Sequence, residues 1–192
     1  MPDPLLDDLN PQQRQAVTVG DGQTLVLAGP GSGKTRVLTR RLAYLIERKG
    51  VPAYDIIAVT FTNKAAREME SRVVTLVNQN LEGLWLGTFH AMCARLLRRE
   101  SAYLPFKSNF VIFDESDQMV LIKRAMRELN IDEKTHRPVG VHAAISAAKN
   151  DLQLPKDVPR RTYRDEVVAR VYEKYQASLA INNAVDFDDL LL

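Results

Sequence analysis

Apolar residues in the first hundred positions fall in short runs, each followed by a stretch with helical spacing. Leu9-Asn-Pro-Gln-Gln-Arg-Gln-Ala-Val17 opens a helix, with Asn10 as N-cap and Pro11 at the first helical position. Leu25, Val26 and Leu27 form an apolar run that stops at a loop with three glycines, and Thr35 to about Arg48 is amphipathic, so strand, loop and helix are predicted in that order. After a break at Gly50-Val-Pro52, Asp55-Ile-Ile-Ala-Val-Thr-Phe61 reads as a buried parallel strand, followed by a helix from Arg67 to Val77. Leu84-Trp-Leu-Gly-Thr-Phe89 and His90 to Arg99 repeat the plan. Three βα units predict an α/β fold: a right-handed, mainly parallel sheet with helices on both faces.

From about Phe106 the pattern changes. Asn109-Phe-Val-Ile-Phe-Asp114 is one more apolar run, and only helical patterns come after it: Asp117 to Leu129, Val141 to Leu152 and, past Pro155 and Pro159, Tyr163 to Ile181. The expectation is an α/β part over residues 1–108 and an all-helical subdomain over 109–192. No internal repeat or low-complexity tract interrupts either part.

Composition changes this picture little. Hydrophobic residues at 45% and charged residues at 26% are ordinary for a soluble globular chain. No apolar run approaches the roughly 18 residues of a membrane span, and the acidic start is unlike a signal peptide. The single cysteine, Cys93, has no intramolecular disulfide partner and reads as a structural thiol in a reducing cytoplasm. Net charge is only +2, but residues 1–108 hold 14 Lys and Arg against 10 Asp and Glu, while residues 109–192 hold 12 against 14. The basic bias lies with the glycine-rich loop.

That loop carries the clearest chemistry. Ala28, Gly29, Pro30, Gly31, Ser32, Gly33, Lys34 and Thr35 match G-x-x-x-x-G-K-[ST], with Ala28 in the first glycine's place, where a small residue is what the turn requires. Backbone amides of Gly31, Ser32, Gly33 and Lys34 are expected to converge on phosphate oxygens of ATP, aided by the positive end of the next helix. Lys34 would reach the β- and γ-phosphates and the Thr35 hydroxyl would ligate Mg²⁺.

Other candidates surround this loop in sequence. Gln13 offers an acceptor and donors that match the N6/N7 edge of adenine, though a helical Gln is also ordinary surface. At the end of the second strand, Phe61 stacks on a base or fills the core, Asn63 bonds a phosphate or caps a helix, and Thr62 and Lys64 suit phosphates. Thr88, Phe89 and His90 fall on the corresponding edge of the third strand, where His90 suits a positioning role better than a catalytic one. Asp114-Glu115 imitates the metal-holding acidic pair of a phosphate-loop enzyme. The next residues, Ser116-Asp-Gln118, open a helix for which Asp114 is a fitting N-cap, and the pair is set aside as a metal site for that reason.

Taken together, these motifs resemble the amino-terminal part of the UvrD/Rep/PcrA family of superfamily 1 DNA helicases, over essentially the whole chain. Leu9-Asn-Pro-Gln-Gln13 looks like the family's Q motif, and residues 28–35 look like motif I, followed by Arg36, which the family places near the nucleotide. Thr60-Phe-Thr-Asn-Lys-Ala-Ala66 and Gly87-Thr-Phe-His90 are similar to motifs that line the single-stranded DNA track. The resemblance implies a DNA contact for Phe61, Thr62, Asn63, Lys64, Thr88 and His90. Asn109–Asp114 with Asp117-Gln118 looks like the start of the inserted helical subdomain 1B, and Val185-Asp-Phe-Asp-Asp-Leu190 like the motif that closes it, where Phe187 would touch a base. The same resemblance implies a RecA-like phosphate-loop motor domain, cut before its Walker B motif, plus most of 1B. The parent implied is an ATP-dependent 3′→5′ helicase or translocase of DNA repair or replication, working with ATP, Mg²⁺, single-stranded DNA and single-strand/duplex junctions. The chain alone is expected to be inactive.

Two rivals make different predictions. A phosphate-loop small-molecule kinase or other NTPase with Asp114-Glu115 as its Walker B pair requires the Asp114 carboxylate beside the Thr35 hydroxyl. A non-catalytic nucleic-acid-binding module requires DNA binding that survives Lys34→Ala.

Overall fold

Asn10 and Gln13 close the start of the first helix on each other: the Asn10 side chain accepts from the Gln13 amide at 2.8 Å, and the Gln13 side chain accepts from the Asn10 amide at 3.2 Å. A computed structural model describes residues 3–79 and 81–192. In chain order the elements are α1 (Pro11–Thr18), α2 (Lys34–Glu47), β1 (Ile57–Thr60), α3 (Asn63–Val74), β2 (Trp85–Thr88), α4 (Phe89–Arg99), β3 (Val111–Phe113), α5 (Glu115–Glu128), α6 (Pro138–Asn150), α7 (Tyr163–Ile181) and β4 (Ala184–Asp186). By compactness the described residues divide into one unit ending at Met92 and a second from Cys93 to Leu192, so the division falls within α4.

In the first unit, β1 and β2 pair in parallel, with Ile57 opposite Trp85 and Thr60 opposite Thr88. Helices α2 and α3 supply the core. Leu42, Ala43 and Ile46 recur at one-turn spacing, as do Met69 and Val73, and these side chains pack with Leu5, Ile56 and Val77. The class is mixed α/β with small parallel sheets.

The three-stranded sheet expected here is not formed. Leu25–Leu27 is not a strand: Leu25 is 83% and Leu27 87% exposed, and no described strand pairs with the segment. An extended segment becomes a strand only when a neighbour takes up its backbone donors and acceptors, and the β1–β2 pair does not extend to this one. A second correction concerns α3, which starts at Asn63, with the Thr62 hydroxyl accepting from the Ala65 amide at 3.1 Å. The cap is therefore Thr62 and not Asn63.

The second unit packs α5, α6 and α7 around Ile122, Met126, Ile145, Val171, Tyr172, Tyr175 and Leu179. Asp114 caps α5, accepting the Ser116 amide at 2.8 Å and the Asp117 amide at 3.0 Å. A smaller cluster joins Ala94, Phe110, Val185 and Leu190, with Cys93 partly buried against it. The expectation of helices alone beyond Asp114 is corrected by β4, which pairs in parallel with β3 through Val111–Ala184, Ile112–Val185 and Phe113–Asp186. A three-residue strand is too short to show alternation. Its register comes from Asn183, which takes φ +46°, accepts the Lys107 amide at 2.8 Å and donates to Asn109 Oδ1 at 3.1 Å. No helix among the described residues is long and apolar enough to cross a membrane.

Candidate functional site

The loop before α2 has the backbone that its glycines allow. Gly31 and Gly33 take φ of +74° and +82°, and Gly33 is the residue from which α2 departs. Space is also limiting at the second position: a Cβ on Gly33 would stand 3.0 Å from Gln13 Nε2. Within the loop, the Ser32 hydroxyl donates to the Gly29 carbonyl at 2.7 Å. Lys34 curls back, donating from Nζ to the carbonyls of Gly29 at 2.8 Å and Ala28 at 3.2 Å. Gln13 reaches in from α1 and donates from Nε2 to the Ser32 carbonyl at 3.0 Å.

These groups share a cavity of about 480 Å³ whose wall includes Gln13, Leu27, Gly29, Ser32, Lys34 and Leu38. Much of the lining is apolar, from Ala16, Val26, Leu27, Val37 and Leu38, and it includes the first turn of α2, where unpaired amides and the helix dipole favour an anion. The Thr35 side chain is exposed at the same helix start. Arg36 is not brought to this cavity. It donates to the Asp8 carbonyl at 2.8 Å, pairs with the Asp8 carboxylate at 3.3 Å, and lines a separate 230 Å³ cavity with Arg40 and Arg72.

Six of the candidates for a DNA track lie together at one end of the parallel pair. Thr60 and Thr88 are register partners, so Phe61–Lys64 and Thr88–His90 leave the sheet side by side. Phe61 is 99% exposed, which removes the core alternative for it. Thr62 and Thr88 both serve as acceptors for the first turns of their helices, the latter from the Ala91 amide at 3.3 Å. Asn63, Lys64 and His90 sit in those first turns. Phe187 belongs to the second unit and is 46% exposed, just after β4.

Asp114 gives the kinase reading no support. Its Oδ1 accepts the Ser116 hydroxyl at 2.6 Å in addition to the two helix amides, and these bonds hold its carboxyl below the usual carboxylate range. Among the described residues, no three His, Cys, Asp or Glu side chains group as a metal site. Sequence reasoning missed two partners. Asp8 is the carboxylate that takes up Arg36 and Arg40, at 3.3 and 2.9 Å. Lys149 is wholly buried between Asp186 and Asp189. A signal for the second existed: Lys149 continues the one-turn stripe of Val141 and Ile145.

The family described as UvrD/REP helicase N-terminal domain matches residues 9–192. The chain is also 46% identical over 190 residues to the ATP-dependent DNA helicase PcrA of Staphylococcus aureus strain Mu50, covering 98% of this chain and 26% of that protein. A protein of the same name from Staphylococcus epidermidis is 45% identical over the same span. The chain thus spans about a quarter of the length of these relatives.

Proposed function

The chain belongs to the UvrD/REP helicase family, and from that premise we propose that it is the ATP- and single-stranded-DNA-binding amino-terminal part of an ATP-dependent 3′→5′ DNA helicase or translocase. Residues 1–108 are assigned to a RecA-like phosphate-loop motor domain and 109–192 to its helical insert. The junction is proposed after residue 108, where the apolar pattern along the chain changes; β2 running straight into α4 supports a boundary later than Met92.

The observation that carries this reading is the cavity lined by Gln13, Gly29, Ser32 and Lys34, the first residue of α2. Amides of Gly31–Lys34 and the Lys34 ammonium would hold the phosphates, and Gln13 would read the adenine edge. The donor set fits a triphosphate. It fits magnesium only in part, through the Thr35 hydroxyl, and the ion would supply charge neutralisation for the phosphates. Phe61, Thr62, Asn63, Lys64, Thr88, His90 and Phe187 would hold single-stranded DNA by stacking and phosphate contacts near a duplex junction. The compartment proposed is the cytoplasm. The isolated chain is expected to bind nucleotide weakly and hydrolyse almost none, since the charge developing on the γ-phosphate lacks a metal-holding carboxylate and an arginine finger among these residues.

Titration of the chain with a fluorescent ATP analogue and Mg²⁺ tests the site. Lys34→Ala is expected to weaken binding by roughly 10- to 100-fold, the range for a charge-assisted contact. Unchanged affinity would overturn the nucleotide assignment. Turnover by the isolated chain in the usual enzyme range would overturn the claim of inactivity.

A further inference from the structure

Lys149 stands where the stripe of Val141 and Ile145 calls for a third apolar side chain, and its side chain is wholly buried. Its Nζ lies 2.6 Å from Asp186 Oδ2 and 2.7 Å from Asp189 Oδ1. Those two carboxylates also bind each other's backbone, with the Asp189 amide donating to Asp186 Oδ1 at 2.8 Å and the Asp186 amide donating to Asp189 Oδ2 at 3.1 Å. From α7, the Tyr175 hydroxyl donates to Asp186 Oδ2 at 2.8 Å and Gln176 Nε2 donates to Asp189 Oδ1 at 3.0 Å. The rings of Tyr175 and Tyr172 flank the ammonium at 5.2 and 5.7 Å. Burial and the neighbouring carboxylates push both phenols far up, so Tyr175 keeps the proton it donates.

Stability alone does not call for this arrangement. Each buried ion costs several kcal/mol of desolvation, and apolar residues of similar volume often serve as well or better. What such a cluster adds is direction: each of the four carboxylate oxygens accepts at least one hydrogen bond, so the turn that the carboxylates bracket is held in one conformation. Only Phe187 and Asp188 lie inside that bracket. Phe187 is held at φ −65° and ψ −33° with its ring 46% exposed.

We propose that Lys149 is a positioning residue for DNA: its ammonium locks the Asp186–Asp189 turn and so sets the Phe187 ring at the angle from which it stacks on a base of single-stranded DNA. The proposal rests on the helicase reading above. Lys149 touches no DNA itself. It acts through the two carboxylates, so its loss leaves both buried without a counter-ion and the turn free to rearrange.

The test measures binding of the full-length protein to an oligonucleotide carrying 2-aminopurine, by anisotropy and by quenching of the stacked base. Phe187→Ala is expected to weaken binding roughly tenfold, within the range for one lost stack. Lys149→Met is expected to lose the same factor and the same quenching, and Lys149→Met/Phe187→Ala to bind no more weakly than Phe187→Ala alone. Ile145→Val, on the same helix face, controls for lost stability and is expected to bind as the unaltered protein does. Should Lys149→Met not fold, Asp189→Asn, which keeps the Lys149–Asp186 pair, is expected to show a smaller loss in the same direction. Wild-type affinity in the folded Lys149 or Asp189 variant, beside a loss in Phe187→Ala, overturns the positioning role and leaves the DNA reading standing. Multiplying effects in the double variant overturn it as well. No effect from Phe187→Ala overturns the Phe187 contact itself, and the positioning role with it.

Discussion

Gln13 donates from Nε2 to the Ser32 carbonyl at 3.0 Å, so the first helix holds the phosphate loop by one side chain. The same side chain accepts the Asn10 amide through Oε1 and completes the cap of α1. A change at Gln13 therefore acts twice, on the loop and on the cap of the helix that carries Gln12, Gln13 and Ala16 to the cavity.

Gln13→Ala is expected to weaken binding of an ATP analogue about fivefold, the worth of one ordinary hydrogen bond. It should weaken GTP less, because only the adenine edge matches the lost amide. Parallel titrations with the two nucleotides check this, and equal losses would count against an adenine-reading role.

Gly33→Ala is expected to cost about 1–2 kcal/mol, since a Cβ is strained at φ +82° and meets the Gln13 amide group at 3.0 Å. Urea unfolding gives the cost, and nucleotide binding should fall with it. The same substitution at Gly29 meets nothing within 4 Å and should be close to neutral for folding.

Phe61→Ala is expected to leave stability within about 0.5 kcal/mol, because the ring is 99% exposed, while weakening single-stranded DNA binding by the worth of a stack. Lys64→Ala should instead lower the slope of log K against log salt by about one, as loss of a phosphate contact does. Affinities at several salt concentrations separate the two. Identical salt slopes in both variants would remove Lys64 from the track.

Asp114 makes stability depend on pH in a defined sense. Its folded carboxyl is held low by the Ser116 hydroxyl and two helix amides, so its contribution is present above the unfolded value of about 3.9 and is lost as pH falls through the lower folded one. Asp114→Asn is expected to flatten the acid limb of the stability curve below about pH 4 and to leave its neutral part nearly unchanged, since Asn is also a good cap. An unaltered acid limb would show that the cap does not titrate with folding.

Local chemistry was legible from residues alone. Asn10 before Pro11 predicts a helix start, and Asp114 before Ser116-Asp117 predicts another, since each partner lies within three positions. The loop at residues 28–35 belongs to the same class, because the conformations it needs are those that glycine permits at Gly31 and Gly33. Non-local choices were not legible. An apolar run such as Leu25–Leu27 looks the same whether or not a neighbour takes up its backbone bonds, and Phe61 at the end of a strand looks the same in a core or in solvent.

The order of residues by itself determined that helices begin after Asn10 and Asp114, where the backbone turns left-handed in the glycine loop, and that an ammonium and a hydroxyl come directly after that loop, because those outcomes depend on neighbours one turn away. Only the tertiary structure decided that Arg36 turns to Asp8, that β4 lies beside β3, and that Lys149 is buried between Asp186 and Asp189. Burial and pairing depend on which distant segments pack together, and for Lys149 the same packing sets the dielectric around its charge and supplies the carboxylates that offset it.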